Sequence, residues 1–141
     1  MDGAEFTPEA VLALDDDALR GAGLSRAKTA AIRDLADKTL SGQVRLDRLG
    51  RMDDDAVIAE LVQVRGVGTW TAQMFLMFDL HRMDVWPTGD LGVRAGYGRA
   101  FALAATPTDK ELALLGDEFR PYRSVVAWYC WRAVDTVTSG A

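Results

Sequence analysis

The stretch Leu61-Val62-Gln63-Val64-Arg65-Gly66-Val67-Gly68-Thr69-Trp70-Thr71-Ala72 sets two glycines one residue apart between two apolar helical patterns. Glycine accepts positive φ and lets a backbone come close to a ligand, and the first N–H groups of a helix have no acceptor within it. A helix-hairpin-helix of this kind is a phosphate cradle. The same residues also make an ordinary αα-hairpin with a glycine turn. Further on, Trp86-Pro87-Thr88-Gly89-Asp90 ends in a carboxylate where a helix resumes, and by position alone Asp90 is an N-cap. Other chemistries are thinly supplied. The single cysteine, Cys130, excludes an intrachain disulfide framework, a four-cysteine zinc site and a cysteine-ligated iron–sulfur cluster. The single histidine, His81, reads as a helix C-terminal residue and weakens any histidine-based metal or triad chemistry.

Helix punctuation recurs along the chain and strand punctuation is almost absent, so an all-α helical bundle is expected. Thr7-Pro8-Glu9 opens a short helix to about residue 14, and Asp15 to Asp17 cap another that closes near Gly23. Ser25 opens a longer helix in which Ile32, Leu35, Ala36, Thr39 and Leu40 share one face, and Gly42 ends it. Asp53, Asp54 and Asp55 cap the first hairpin helix, and the hairpin runs over about 57–80. Its second helix, from 70 to about 80, is apolar nearly all round and is expected to be buried. Pro87 and Gly89 interrupt helix over about 84–91. Thr106-Pro107-Thr108-Asp109 starts a helix with Leu112 and Leu115 inward, and Pro121 marks the entry to a last helix from about 122 to 137. With 141 residues, no internal repeat and no long linker, residues 1–141 read as a single domain.

Hydrophobic residues make up 49% of the chain and charged residues 26%, which places it among globular proteins. The net charge of −5 arises wholly in residues 1–60, with 8 basic against 13 acidic side chains; residues 61–141 balance at 8 each, so a polyanionic partner is not excluded. No apolar run approaches the ~18 residues of a membrane span, and the first residues lack the regions of a signal peptide, so a soluble cytoplasmic protein with no membrane partner is expected.

Four ordered elements resemble the helix-hairpin-helix base-excision DNA glycosylases, most closely the 3-methyladenine DNA glycosylase II branch. They are Ala22-Gly23-Leu24-Ser25 with Lys28, then residues 64–72, then Trp86-Pro87-Thr88-Gly89-Asp90, then Pro121-Tyr122-Arg123-Ser124 with Trp128 and Trp131. The resemblance covers about residues 8–132 and implies a partial glycosylase domain that binds double-stranded DNA and hydrolyses the N-glycosidic bond of alkylated purines such as 3-methyladenine and 7-methylguanine. It makes Asp90 the catalytic carboxylate, in keeping with the positive charge that builds on the sugar as that bond breaks. Capping and catalysis by Asp90 are compatible. The resemblance assigns phosphate binding to Arg65, Gly66, Val67, Gly68 and Thr69, with Arg94, Arg99 and Arg123 as further basic residues near the hairpin and loop; a solvated surface explains each arginine equally well. No cofactor is needed for the chemistry, but the carbonyls of Val62, Val64 and Val67 would hold a structural Na+ or K+.

Trp70 stands where bifunctional relatives carry a Schiff-base lysine, which implies monofunctional chemistry. Trp70 and Trp131 would wall the base pocket, with core packing as the alternative for either; Trp86 and Trp128 belong to the core or the rim. The chain departs from the family in lacking helices ahead of Thr7, with their Gln-Gln-Leu/Val-Ser type stretch that completes the pocket and wedges the DNA. Two expectations follow: weak activity, and self-association through apolar surface drawn from residues 74–78 and their neighbours. A catalytically silent DNA-binding module is the alternative function.

Overall fold

Side-chain oxygens open most of the helices. In the computed structural model, which describes residues 5–138, Thr7, Asp15, Ser25, Asp53, Asp90 and Thr108 each accept the N–H three residues on, at 2.7 to 3.2 Å. Each such cap stabilises its helix by about 1 kcal/mol, so short local patterns fix where the chain enters helix. Among the described residues there is no strand, and no helix is long and apolar enough to cross a membrane.

The chain divides into two compact units, Met1–Ala72 and Gln73–Ala141. The first contains α1 (Pro8–Ala13), α2 (Asp16–Gly21), α3 (Arg26–Leu40), a 3₁₀ helix (Leu46–Arg51), α4 (Asp54–Leu61) and the start of α5 (Thr69–Phe78). Both α1 and α2 pack on α3. Val11, Leu19, Ala36, Val44, Leu49 and Val57 are buried. Glu60 on α4 is also buried, and it accepts from the Arg45 backbone N–H at 2.9 Å and the guanidinium Nε at 3.2 Å. That guanidinium holds the Glu60 carboxyl below the usual carboxylate range. The 3₁₀ helix is not foreseen by the sequence reading, because Leu46-Asp47-Arg48-Leu49-Gly50-Arg51 has neither a capping side chain nor a 3.6-residue apolar period.

The second unit contains the rest of α5, then α6 (Leu91–Ala100), α7 (Asp109–Leu115), a 3₁₀ turn (Asp117–Phe119) and α8 (Arg123–Thr138). Trp86, Val93, Tyr97, Leu112, Ala127 and Cys130 form its core. Gly96 lets α6 lie directly on α8: a Cβ there would stand 1.9 Å from the Cys130 carbonyl oxygen. Glycine inside a helix ordinarily costs about 0.5–1 kcal/mol against alanine. Here the close crossing explains its presence.

Three burial expectations are corrected. The helix α5 buries only the stripe through Ala72 and Leu76, which are four residues apart on one face, while Trp70 and Phe78 are 51% and 56% exposed. Of residues 74–78, Phe78 alone is exposed; the larger open apolar surface lies at Tyr122, just ahead of α8, and at Val125, Trp128 and Tyr129 on it. Leu112 faces inward as expected, but Leu115, three residues on at the end of α7, is exposed.

Candidate functional site

The hairpin turn is made by backbone. Helix α4 ends with the Val62 N–H donating to the Ile58 carbonyl; Val64 N–H then reaches Leu61 O at 3.1 Å and Val67 N–H reaches Val64 O at 3.0 Å. Gly66 has φ +82°, the left-handed turn that glycine permits. Positive φ was expected at Gly68 as well, but Gly68 does not adopt it, because a single left-handed residue suffices to reverse the chain. A Cβ on Gly68 would meet nothing within 4 Å. The bareness of Gly68 therefore serves no internal contact and leaves open surface where α5 begins. Helix α5 starts from the Gly68 carbonyl, which accepts Ala72 N–H at 3.1 Å, and its first-turn N–H groups are those that a helix cannot satisfy internally. Gly66, Gly68 and Thr69 are exposed and Val67 is half-buried.

One anchor of this turn escaped the sequence reading. The Asp34 carboxylate on α3 accepts the Arg65 backbone N–H at 2.7 Å and pairs with Lys38. Lys38 and the Arg65 amide hold its carboxyl below the usual carboxylate range. The Arg65 side chain itself is exposed. The carbonyls of Val62, Val64 and Val67 fit a monovalent cation in chemical kind: they are neutral oxygens, those of Val62 and Val64 just past the C-terminal, partially negative end of α4. Val64 O already takes one N–H and keeps a second lone pair.

The segment before Asp90 is held by side chains instead. Val85, Trp86 and Pro87 are buried. The Trp86 indole donates to Leu112 O at 2.8 Å and lies over Gly116, where a Cβ would come within 2.3 Å of Nε1. Two further turns, Thr88 N–H to Trp86 O and Asp90 N–H to Pro87 O, bring the chain to α6. Asp90 caps that helix through Oδ1, which accepts Val93 N–H at 2.9 Å and also the Trp131 indole N–H at 2.9 Å. Trp131, half-buried, stacks on Phe78 with centroids 5.9 Å apart at 25°. Gly92 makes room for the indole: a Cβ there would stand 2.9 Å from Trp131 Cδ1 and 3.2 Å from Asp90 Oδ1.

The structure therefore brings Asp90 and Trp131 together, and the cap at Asp90 is real. It gives two of the expected phosphate ligands inward tasks. Arg123, with only 14% of its side chain exposed, forms a two-point ion pair with Asp84: Nε donates to Oδ1 at 2.8 Å and Nη2 to Oδ2 at 3.2 Å. Arg94 donates from Nε to Pro107 O at 2.9 Å. Arg65 and Arg99 are exposed, as are Lys28 and His81, the latter at φ +54° just beyond α5. Trp128 is exposed with Arg132 over its ring, Trp86 is core, and burial pushes the Cys130 thiol up to about 11, as suits a packing residue.

A model of the HhH-GPD superfamily of base excision DNA repair proteins matches residues 1–121, and the chain belongs to that superfamily. It is similar to DNA-3-methyladenine glycosylase 1 of Schizosaccharomyces pombe, at 33% identity over 89% of this chain and 56% of that protein. A putative DNA-3-methyladenine glycosylase of Bacillus subtilis is 31% identical over 91% of this chain and 45% of its own length. Among solved structures, a DNA-3-methyladenine glycosidase from Bacillus halodurans superposes with a TM-score of 0.85 at 34% identity, covering 95% of this chain and 62% of that one. The Schizosaccharomyces pombe 3-methyladenine DNA glycosylase in complex with abasic DNA gives a TM-score of 0.79 at 33% identity, covering 89% and 62%. The chain spans about half the length of the curated relatives it matches.

Proposed function

We propose that this chain carries the catalytic centre of a monofunctional DNA glycosylase that releases alkylated purines, 3-methyladenine and 7-methylguanine, from double-stranded DNA. The observation that carries the reading is the Asp90 carboxylate, oriented at the head of α6 by the Val93 amide and the Trp131 indole. As the bond from sugar C1′ to the base breaks, its electron pair leaves with the cationic alkylated base, which becomes neutral, and positive charge develops on the sugar. A fixed carboxylate stabilises that charge and directs a water to C1′; as the new C–O bond forms, that water passes one proton to the Asp90 carboxylate. Trp131 offers an aromatic face beside Asp90 on which a cationic base gains about 0.5–2 kcal/mol. The backbone of residues 66–69, with the Arg65 side chain, receives a DNA phosphate.

Trp70, an indole, supplies no amine for a Schiff base, so abasic sites are left intact. The carbonyls of Val62, Val64 and Val67 hold K+ or Na+, so replacing those ions with tetramethylammonium at fixed ionic strength weakens duplex binding. The exposed Tyr122, just ahead of α8, with Trp128 and Tyr129 on it, supports self-association, and a light-scattering mass of 15.4 kDa at all concentrations would exclude it.

The test is base release from methylated duplex DNA. Asp90→Asn preserves a capping side chain and the fold, and we expect release to fall about 100-fold or more. Equal release by parent and variant contradicts the role of Asp90. A covalent adduct trapped by borohydride, with strand cleavage at neutral pH, contradicts the monofunctional mechanism.

A further inference from the structure

Helix α8 touches the segment leading to Asp90 at both of its ends. At the near end, the Ser124 hydroxyl, buried, accepts Val85 N–H at 2.7 Å and donates to Arg82 O at 2.7 Å, while Ser124 N–H donates to Met83 O at 2.9 Å. Its neighbour Arg123 grips Asp84 through the guanidinium and through its own backbone N–H. Residues 82–85 thus give four consecutive attachment points to the first turn of α8. At the far end, Trp131 donates to Asp90 Oδ1. Ser124 and Trp131 are seven residues apart, two turns on one helix face and about 10 Å along the axis. Four residues lie between Val85 and Asp90, and the five steps they make, with a reach of up to about 17 Å, leave slack that two turns take up.

We propose that α8 acts as a two-point clamp that sets the Asp90 carboxylate, with Ser124 and Arg123 as positioning residues that act through the 82–90 segment and Trp131 as the residue that fixes the carboxylate directly. Arg123 and Trp131 so acquire tasks other than phosphate contact and base stacking. Asp90 has its backbone placed by the near anchor and its carboxylate plane set by the far one. Gly92 belongs to the device, because only a residue without Cβ lets the indole reach Oδ1. A packing role alone would not require a buried hydroxyl to serve Arg82 and Val85 at once. Nor would it require an indole N–H aimed at the carboxylate.

The inference rests on Asp90 being the reacting carboxylate, and its test separates the two ideas. Single-turnover release of 3-methyladenine is measured against protein concentration for the parent chain, Ser124→Ala, Trp131→Phe and Gly92→Ala. Each variant is expected to lower the saturating rate about tenfold with the half-saturating concentration within about twofold, a split that general destabilisation does not produce. The Trp131 indole N–H resonance, identified by its loss in Trp131→Phe, provides a readout independent of activity: it shifts in Asp90→Asn and in Ser124→Ala. If Ser124→Ala leaves both the rate and this resonance at their parent values, the near anchor does not position Asp90 and the clamp is overturned. A folded Gly92→Ala with the parent rate overturns the far anchor. If the parent releases no base, the catalytic reading fails, and the indole resonance in Ser124→Ala still decides whether the clamp exists.

Discussion

The hairpin turn at 62–69 and the segment at 82–90 are both glycine-marked turns that deliver the chain to a helix, and they are held in opposite ways. The hairpin turn is exposed, closed by backbone hydrogen bonds and by one left-handed glycine, and tied by the Asp34 carboxylate to α3 and by the exposed Gln63 side chain to Gln43. The second segment is buried at Val85, Trp86 and Pro87 and gripped by side chains of Arg123, Ser124 and Trp131 from one helix and by Leu112 O from another. A turn that presents backbone amides needs bare, open surface, and Gly68 supplies it. A turn that presents one carboxylate must instead fix a side chain within a fraction of an ångström, and that takes attachments from outside the turn.

The largest effect expected from breaking this contrast lies beneath the side-chain-held segment. Gly96→Ala drives a Cβ into the Cys130 carbonyl, so it should separate α6 from α8 and destabilise the second unit by about 3 kcal/mol or more, read as a lower urea midpoint. A parent-like midpoint would mean that the helix crossing is not as close as described.

Next in size is the ion pair at the near anchor. Asp84→Asn should cost about 1–2 kcal/mol at neutral pH. The Arg123 guanidinium holds the Asp84 carboxyl below its ordinary value, so its contribution to stability is fully present above about pH 4–5 and is lost as pH falls through the depressed value. Stability curves of parent and variant should therefore converge in acid. A difference that persists unchanged at pH 2 would show that charge is not its source.

The smallest effect should fall in the hairpin turn, at Gly68, and its two glycines should differ. Gly66→Ala forces an alanine to φ +82° and should cost about 1–2 kcal/mol. Gly68→Ala, at ordinary φ and facing open space, should stay within about 0.5 kcal/mol of the parent. Equal losses in thermal melts would erase the distinction between a glycine kept for the turn and one kept bare for a ligand.

The same contrast explains what could be read from sequence. Caps at Thr7, Asp15, Ser25, Asp53, Asp90 and Thr108 depend on partners three residues away, so the helix starts and the place of Asp90 were visible in local spacing. The hairpin was visible for the same reason, although spacing alone could not tell which glycine turns left-handed. A guanidinium suits phosphate and carboxylate alike, so local spacing does not reveal the Arg123 bond to Asp84, 39 residues away. Ser124 and the Trp131 indole bond to Asp90 are likewise long-range, 39 and 41 residues apart, and leave no periodic trace. Gly92 and Gly96, four apart in α6, carried a signal of close helix approach that was open to reading. The apolar composition of α5 suggests burial all round, but composition does not say how many faces have a neighbour, and the helix buries one stripe.

The measurement that tests the central claim most directly is single-turnover base release from methylated duplex DNA, followed as a function of protein concentration for Gly68→Ala and Asp90→Asn side by side. The account predicts that Gly68→Ala moves the half-saturating concentration upward and keeps the plateau, since it covers the backbone that meets phosphate, whereas Asp90→Asn lowers the plateau about 100-fold or more and keeps half-saturation in place. If Gly68→Ala lowers the plateau with affinity intact, or Asp90→Asn weakens binding with the plateau intact, the division between a turn that offers backbone and a segment that aims a carboxylate is contradicted.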